Sequence, residues 1–258
     1  SHGAGHASSQ HAPHKKRGTQ MGRAAGPINR HLCYSSSTKA SAPNTGGMSS
    51  PKSLPTACTT ALKEWNVAIE ALHRGEQTIL LRKGGIREPL FKPPGTEFFL
   101  FPTAFHSEAQ LLKPGMEERY AEAMALEPKQ LAVLPLTTFV QVTGAWQTED
   151  TGLLTALDDL HIWTPAFVEA RLKWRARQPL TLLELRAWRL PQPLQLQIAA
   201  GDFWGCFSFV DLAPGLDSTE TARQLAGAQP ALSDAEFAQR QKVLRERLAR
   251  VAHTPLVL

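Results

Sequence analysis

The sequence predicts an α+β fold, a single domain with a mixed β-sheet and flanking helices, preceded by a disordered N-terminal extension. Three observations predict it. Leu62, Trp65, Ile69 and Leu72 recur at spacings of three, four and three, which is one face of a helix. Two short apolar runs, residues 78–81 and 97–101, follow and read as buried strands. The run LAVLPLTTFVQV, residues 131–142, is rich in β-branched side chains and reads as a long strand bent near Pro135.

Taken in order, the first helix has Thr59 or Thr60 as a hydroxyl cap and His73 and Arg74 in its last turn, where cations suit the dipole. Gly75 supplies the left-handed residue that ends it. The strand 78–81 runs into Arg82, Lys83 and Gly84-Gly85, and the proline-rich residues 86–95 form a loop. Pro102 stops the strand 97–101. Residues 117–126 and 153–160 read as helices, and residues 144–152 as polar and turn-like. Thr164-Pro165 is a helix start, since proline is tolerated at the first helical position. Strands follow at 180–190, 192–198 and 206–212, then a linker over 213–232. Ser233 and Glu236 form a capping-box pattern that opens a last helix, whose Phe237, Leu244, Leu248 and Val251 make an apolar face for docking on the body or on a protein partner.

The net charge is +5, and it is uneven. Residues 1–60 hold four lysines, three arginines and no carboxylate, so residues 61–258 carry −2 and the basic character belongs to the tail. The tail is rich in Ser, Ala, Gly and Pro and cannot bury enough apolar surface to order itself. Residues 1–58 therefore read as a transit peptide, which places the protein in the chloroplast, with the mitochondrion or the cytoplasm as alternatives. Met21 and Met48 offer translation starts within it. No stretch reaches the roughly 18 apolar residues that cross a membrane. Cys33, Cys58 and Cys206 are isolated and suggest a reducing compartment.

No phosphate loop or dinucleotide fingerprint occurs, so no cofactor is expected, and no metal motif is present. Arg82 and Lys83 beside two glycines suit either an anion nest or a solvated hairpin turn. Arg171, Trp174 and Arg175 lie in a block, residues 169–190, with six cations, two glutamates and interleaved tryptophans. Cations track phosphates and exposed rings stack on bases, so the block points to RNA or single-stranded DNA. Its structural alternative is a cationic helix C-terminus over core tryptophans.

The stretches ALKEWNVAIEALHRGEQTILLRKGGI, EFFLFPTAFH, HIWTPAFVEARLKWRARQPL and CFSFVDL together resemble the family known only as domain of unknown function 1802. That resemblance carries no activity, but it implies an association with restriction–modification-like systems. A weaker resemblance is to the ASCH branch of PUA-like folds, small nucleic-acid-binding barrels with the pattern G-x-K-x-x-x-x-R. Gly75 and Arg82 keep the pattern and Gln77 replaces the lysine. It implies a barrel-like sheet with a basic rim. Two further readings stand beside the nucleic-acid-binding one. A metal-dependent nuclease, or an accessory subunit of such a system, would use Asp159, Glu184 and His106. A structural scaffold would act through the C-terminal helix.

Overall fold

The structure, a computed structural model, describes residues 53–84, 90–105, 111–175 and 178–258. The tail over residues 1–52, His106, Gly85 and Arg177 lie outside the described residues. Eight strands form one mixed sheet: β1 (Thr60–Trp65), β2 (Ile79–Arg82), β3 (Glu97–Thr103), β4 (Val133–Thr148), β5 (Leu180–Gln197), β6 (Phe209–Asp211), β7 (Gln229–Pro230) and β8 (Thr254–Pro255). The main path is β2-β5-β4-β3-β1-β6, with β7 added to β5 and β8 to β4. Only β1 and β3 run parallel; every other pair is antiparallel.

Alternation along β3 explains its unbroken apolar sequence. Phe98 and Leu100 enter one core and Phe99 and Phe101 the other, so both faces of the central sheet are covered. The larger core takes α1 (Asn66–His73), α5 (Pro165–Lys173) and α7 (Asp234–Leu248) through Leu72, Val168 and Leu244. Short helices α2 (Met116–Arg119), α3 (Ala121–Ala125) and α4 (Leu153–Ala156) complete that side.

Local chemistry sets several boundaries where the sequence places them. Gly75 has φ +71 and follows α1. Thr164 accepts from the Phe167 amide at the start of α5. Ser233 and Glu236 close a full capping box on α7, whose Phe237, Leu244 and Leu248 are buried on the body, as is Val251 beyond it.

Other boundaries differ. Residues 60–65 are strand, not helix: Ala61 to Trp65 pair in register with Phe99 to Thr103, and Thr59 and Thr60 cap nothing. Pro102 lies inside β3, opposite Glu64; pairing to β4 ends at Phe99, so the missing amide falls where β3 has only β1 beside it. Residues 144–148 continue β4. The two strands expected at 180–190 and 192–198 are one, β5, whose Pro191 and Pro193 sit in the irregularity between the Thr138–Arg189 and Leu136–Leu194 pairs. The segment read as a linker holds α6 (Ser218–Ala226), capped by the Asp217 side chain, and β7.

The barrel-like expectation is met only in part. The sheet is not closed by backbone hydrogen bonds, since β2 and β6 end the path. It curls far enough, however, for side chains to bridge the gap. Arg82 of β2 reaches Glu64 of β1 at 2.8 Å and Ser208, just before β6, at 3.3 Å. Phe91 and Phe209 stack across it at 5.7 Å.

Candidate functional site

The side-chain seam between the two sheet ends is where the sequence's two basic blocks meet. Residues 63 and 64 alternate across β1, so Glu64 faces the seam and Lys63 the opposite side. Glu64 is 7 % exposed. Its Oε2 accepts from Arg82, and its Oε1 accepts from the Trp65 amide at 2.9 Å. Arg82 stacks over Phe91 at 5.1 Å, and its Nε is buried without an acceptor among the described residues.

Arg171 comes in from α5. Its guanidinium lies over the rings of Trp65 (5.2 Å) and Phe167 (5.0 Å). Those rings belong to an aromatic bed with Phe105 and Trp163, in which Trp163 and Phe167 stand 4.6 Å apart. Burial holds the Arg171 guanidinium below its ordinary pKa; Glu64 opposes that shift and Arg82 adds to it. Arg171 makes no hydrogen bond or ion pair with a described residue.

Lys83 joins the blocks mechanically. Its ammonium is buried and donates to the carbonyls of Leu172 (2.7 Å), Trp174 (2.6 Å) and Arg175 (3.4 Å). Leu172 is in the last turn of α5 and Trp174 is its C-cap, while the Arg175 carbonyl also accepts from the Gln178 amide, so Lys83 caps the end of α5 from another element. Desolvation lowers its pKa, and Glu149 partly offsets that. Lys83 was expected to meet phosphate directly; its donors are spent on backbone instead. The turn it holds presents Trp174, 41 % exposed, with the Arg175 guanidinium over its ring at 4.8 Å. Arg175 has φ 50, the one positive value among described non-glycine residues. A side chain in that region is strained and needs surrounding support, which Lys83 gives.

The carboxylates named for a nuclease lie elsewhere and are already claimed. Glu184 of β5 is fully buried; its Oε2 accepts from Thr143 (2.8 Å), Gln241 (2.9 Å) and Arg245 (3.3 Å). Asp159 is paired with Arg247. Both arginines belong to α7, so Glu184 anchors that helix to the sheet and Asp159 anchors it to the turn after α4. Among the described residues no group of three or more His, Cys, Asp or Glu side chains could hold a metal ion. His106 is outside the described residues. No helix among the described residues is long and apolar enough to cross a membrane.

A groove of about 590 Å³ lies between residues 53–56, Trp188 and α6. Leu54, Pro55 and Leu225 line it, with no charged side chain among the described lining residues, and it is remote in sequence and composition from the seam. Sequence reasoning singled out Arg82, Arg171, Trp174 and Arg175 but missed Glu64, Trp65 and Ser208. The signal for Glu64 is the strand alternation of residues 60–65, hidden there by an accidental helical spacing.

One family model, described as a domain of unknown function (DUF1802), matches residues 61–243. No curated protein and no solved structure matches the chain.

Proposed function

The chain belongs to the domain of unknown function 1802 family, and we propose that it serves as a nucleic-acid-binding module for single-stranded RNA or DNA. One observation carries the reading: the two basic blocks, separated by about ninety residues of sequence, come together at the end of α5 through Lys83. There Arg82, Arg171 and Arg175 stand with the exposed ring of Trp174. A cationic track beside an exposed aromatic is what a flexible strand needs, because phosphates are drawn to the cations and an unstacked base can cover the ring. A duplex keeps its bases stacked and cannot use Trp174 in that way. On composition alone, residues 1–58 are proposed to deliver the module to the chloroplast.

The test is binding of the full chain to single-stranded RNA, single-stranded DNA and duplex across a salt series. The tail's seven cations attract any polyanion, so the readout is the difference between the parent chain and Trp174→Ala or Arg175→Ala. We expect single strands to bind more tightly than duplex and both variants to weaken them. Equal binding by parent and variants would assign the affinity to the tail and refute the module.

A further inference from the structure

We infer that Arg171 and Arg82 form a pocket for one singly charged phosphoryl group, deeper in the seam than the Trp174 rim. The inference rests on the nucleic-acid reading and gives it a specific contact. Three charged groups meet here: two guanidiniums and the carboxylate of Glu64. Glu64 is fully engaged, with one oxygen on Arg82 and the other on the Trp65 amide. Arg171 is left over. It is partly buried, held over the rings of Trp65 and Phe167, and without an acceptor among the described residues. Arg82 has a second unmet donor in its buried Nε.

Buried donors normally have acceptors, and a buried cation normally has a counter-charge. Among the described residues the seam sets two guanidiniums against one carboxylate, and the buried Arg82 Nε has no acceptor. A phosphodiester carries one charge on two unesterified oxygens, and the guanidinium fork matches that shape. Trp174 follows Arg171 by three residues, so the two lie about one helical turn apart. A phosphate on Arg171 therefore leaves its own nucleotide within reach of the ring. The aromatic bed under Arg171 fixes the fork in place, so little side-chain freedom is lost on binding.

The experiment uses the full chain and four probes: dimethyl phosphate as the isolated diester, inorganic phosphate, acetate, and a single-stranded RNA. Calorimetry gives affinities, and the arginine Nε–H resonances of the parent chain report the site directly. We expect dimethyl phosphate to shift the Arg171 and Arg82 resonances and to bind at least tenfold more tightly than acetate. Arg171→Met, which keeps the packing over Trp65, and Arg171→Lys, which keeps the charge without the fork, should each lose tenfold or more. Tighter binding of inorganic phosphate than of the diester would overturn the single-charge assignment and mark a site for a free phosphate. Unshifted arginine resonances would overturn the pocket, even if the RNA still bound through Trp174. Diester binding at Arg171 with no RNA binding would uphold the pocket and refute the module.

Discussion

The Glu184 side and the Arg171 side of the sheet use the same residue types to opposite ends. Around Glu184, a buried carboxylate meets Thr143, Gln241 and Arg245, and Asp159 nearby is taken by Arg247. Three donors converge there on Glu184 Oε2, Oε1 is buried without a donor among the described residues, and the result is a docked helix. Around Arg171, two guanidiniums share one carboxylate, and donors are left over. Charged residues in a sequence do not by themselves mark a site. The sign of what is left over separates the two sides: a donor at Arg82 Nε, which an anion could meet, against an acceptor at Glu184 Oε1.

The comparison is broken most decisively at Glu184. Glu184→Ala strips a buried acceptor from Thr143, Gln241 and Arg245 and should cost about 3 kcal/mol in denaturant unfolding, while leaving RNA affinity unchanged in the folded fraction. Loss of affinity without loss of stability would mean that the Glu184 side is functional after all.

Acid sharpens the contrast. His161 is buried, and desolvation first, with Lys113 next, holds its pKa at about 4, below the ordinary 6.5. The unfolded chain therefore binds the proton more readily, and the contribution of the neutral imidazole is complete above pH 6.5 and lost as the pH falls toward 4. Up to about 3 kcal/mol of stability should disappear across that window. His161→Phe should flatten the profile there. Weaker RNA binding at pH 6 than at pH 7, in the folded fraction, would assign the affinity to a titrating side chain other than arginine.

Lys83 tests how the seam is shaped. Lys83→Met leaves the α5 carbonyls unpaired and should cost about 2 kcal/mol of stability. It should also weaken RNA binding without changing the salt slope, since the buried ammonium contacts no phosphate. Arg175→Ala, by contrast, should reduce the slope by about 1. Trp174→Ala should cost about 1–2 kcal/mol of affinity and almost no stability, because the ring is exposed. The smallest effect belongs to Arg247→Ala. Its partner Asp159 is 62 % exposed, and about 0.5 kcal/mol is expected from thermal unfolding.

What the sequence disclosed was local chemistry. Gly75, Thr164-Pro165 and the Ser233–Glu236 box act within a few residues, and each sits where the pattern put it. What it hid depended on distant partners. Leu62 and Trp65 fit a helical face only by coincidence, and it is pairing with residues 99–103 that makes them strand. The α6 segment read as a linker because Leu225 is its single large apolar side chain in the core, beside the buried Thr221 and Gln224; Gln224 is satisfied by accepting from the Gln192 amide. The same division runs through the site. Arg82, Arg171 and Trp174 were visible by residue type and spacing. Glu64 was visible only once its stretch became a strand, and Lys83 took a different role once α5 ended against it.

The parallel β1–β3 pair and the β1–β6 pair set a timetable as well as a shape. β1 lies at residues 60–65, yet one of its neighbours is not made until residues 209–211. During synthesis the first strand must wait, with its edge bare, for nearly all of the domain to emerge. Such non-local closure is slow, because loop entropy is lost before the contacts repay it. The β1–β6 seal brings Ser208 against Arg82, so the seam forms late. A chain stopped short of residue 211 would lack the seam together with α6 and α7, and refolding of the full chain from denaturant should show the Trp174 environment maturing after the helical signal.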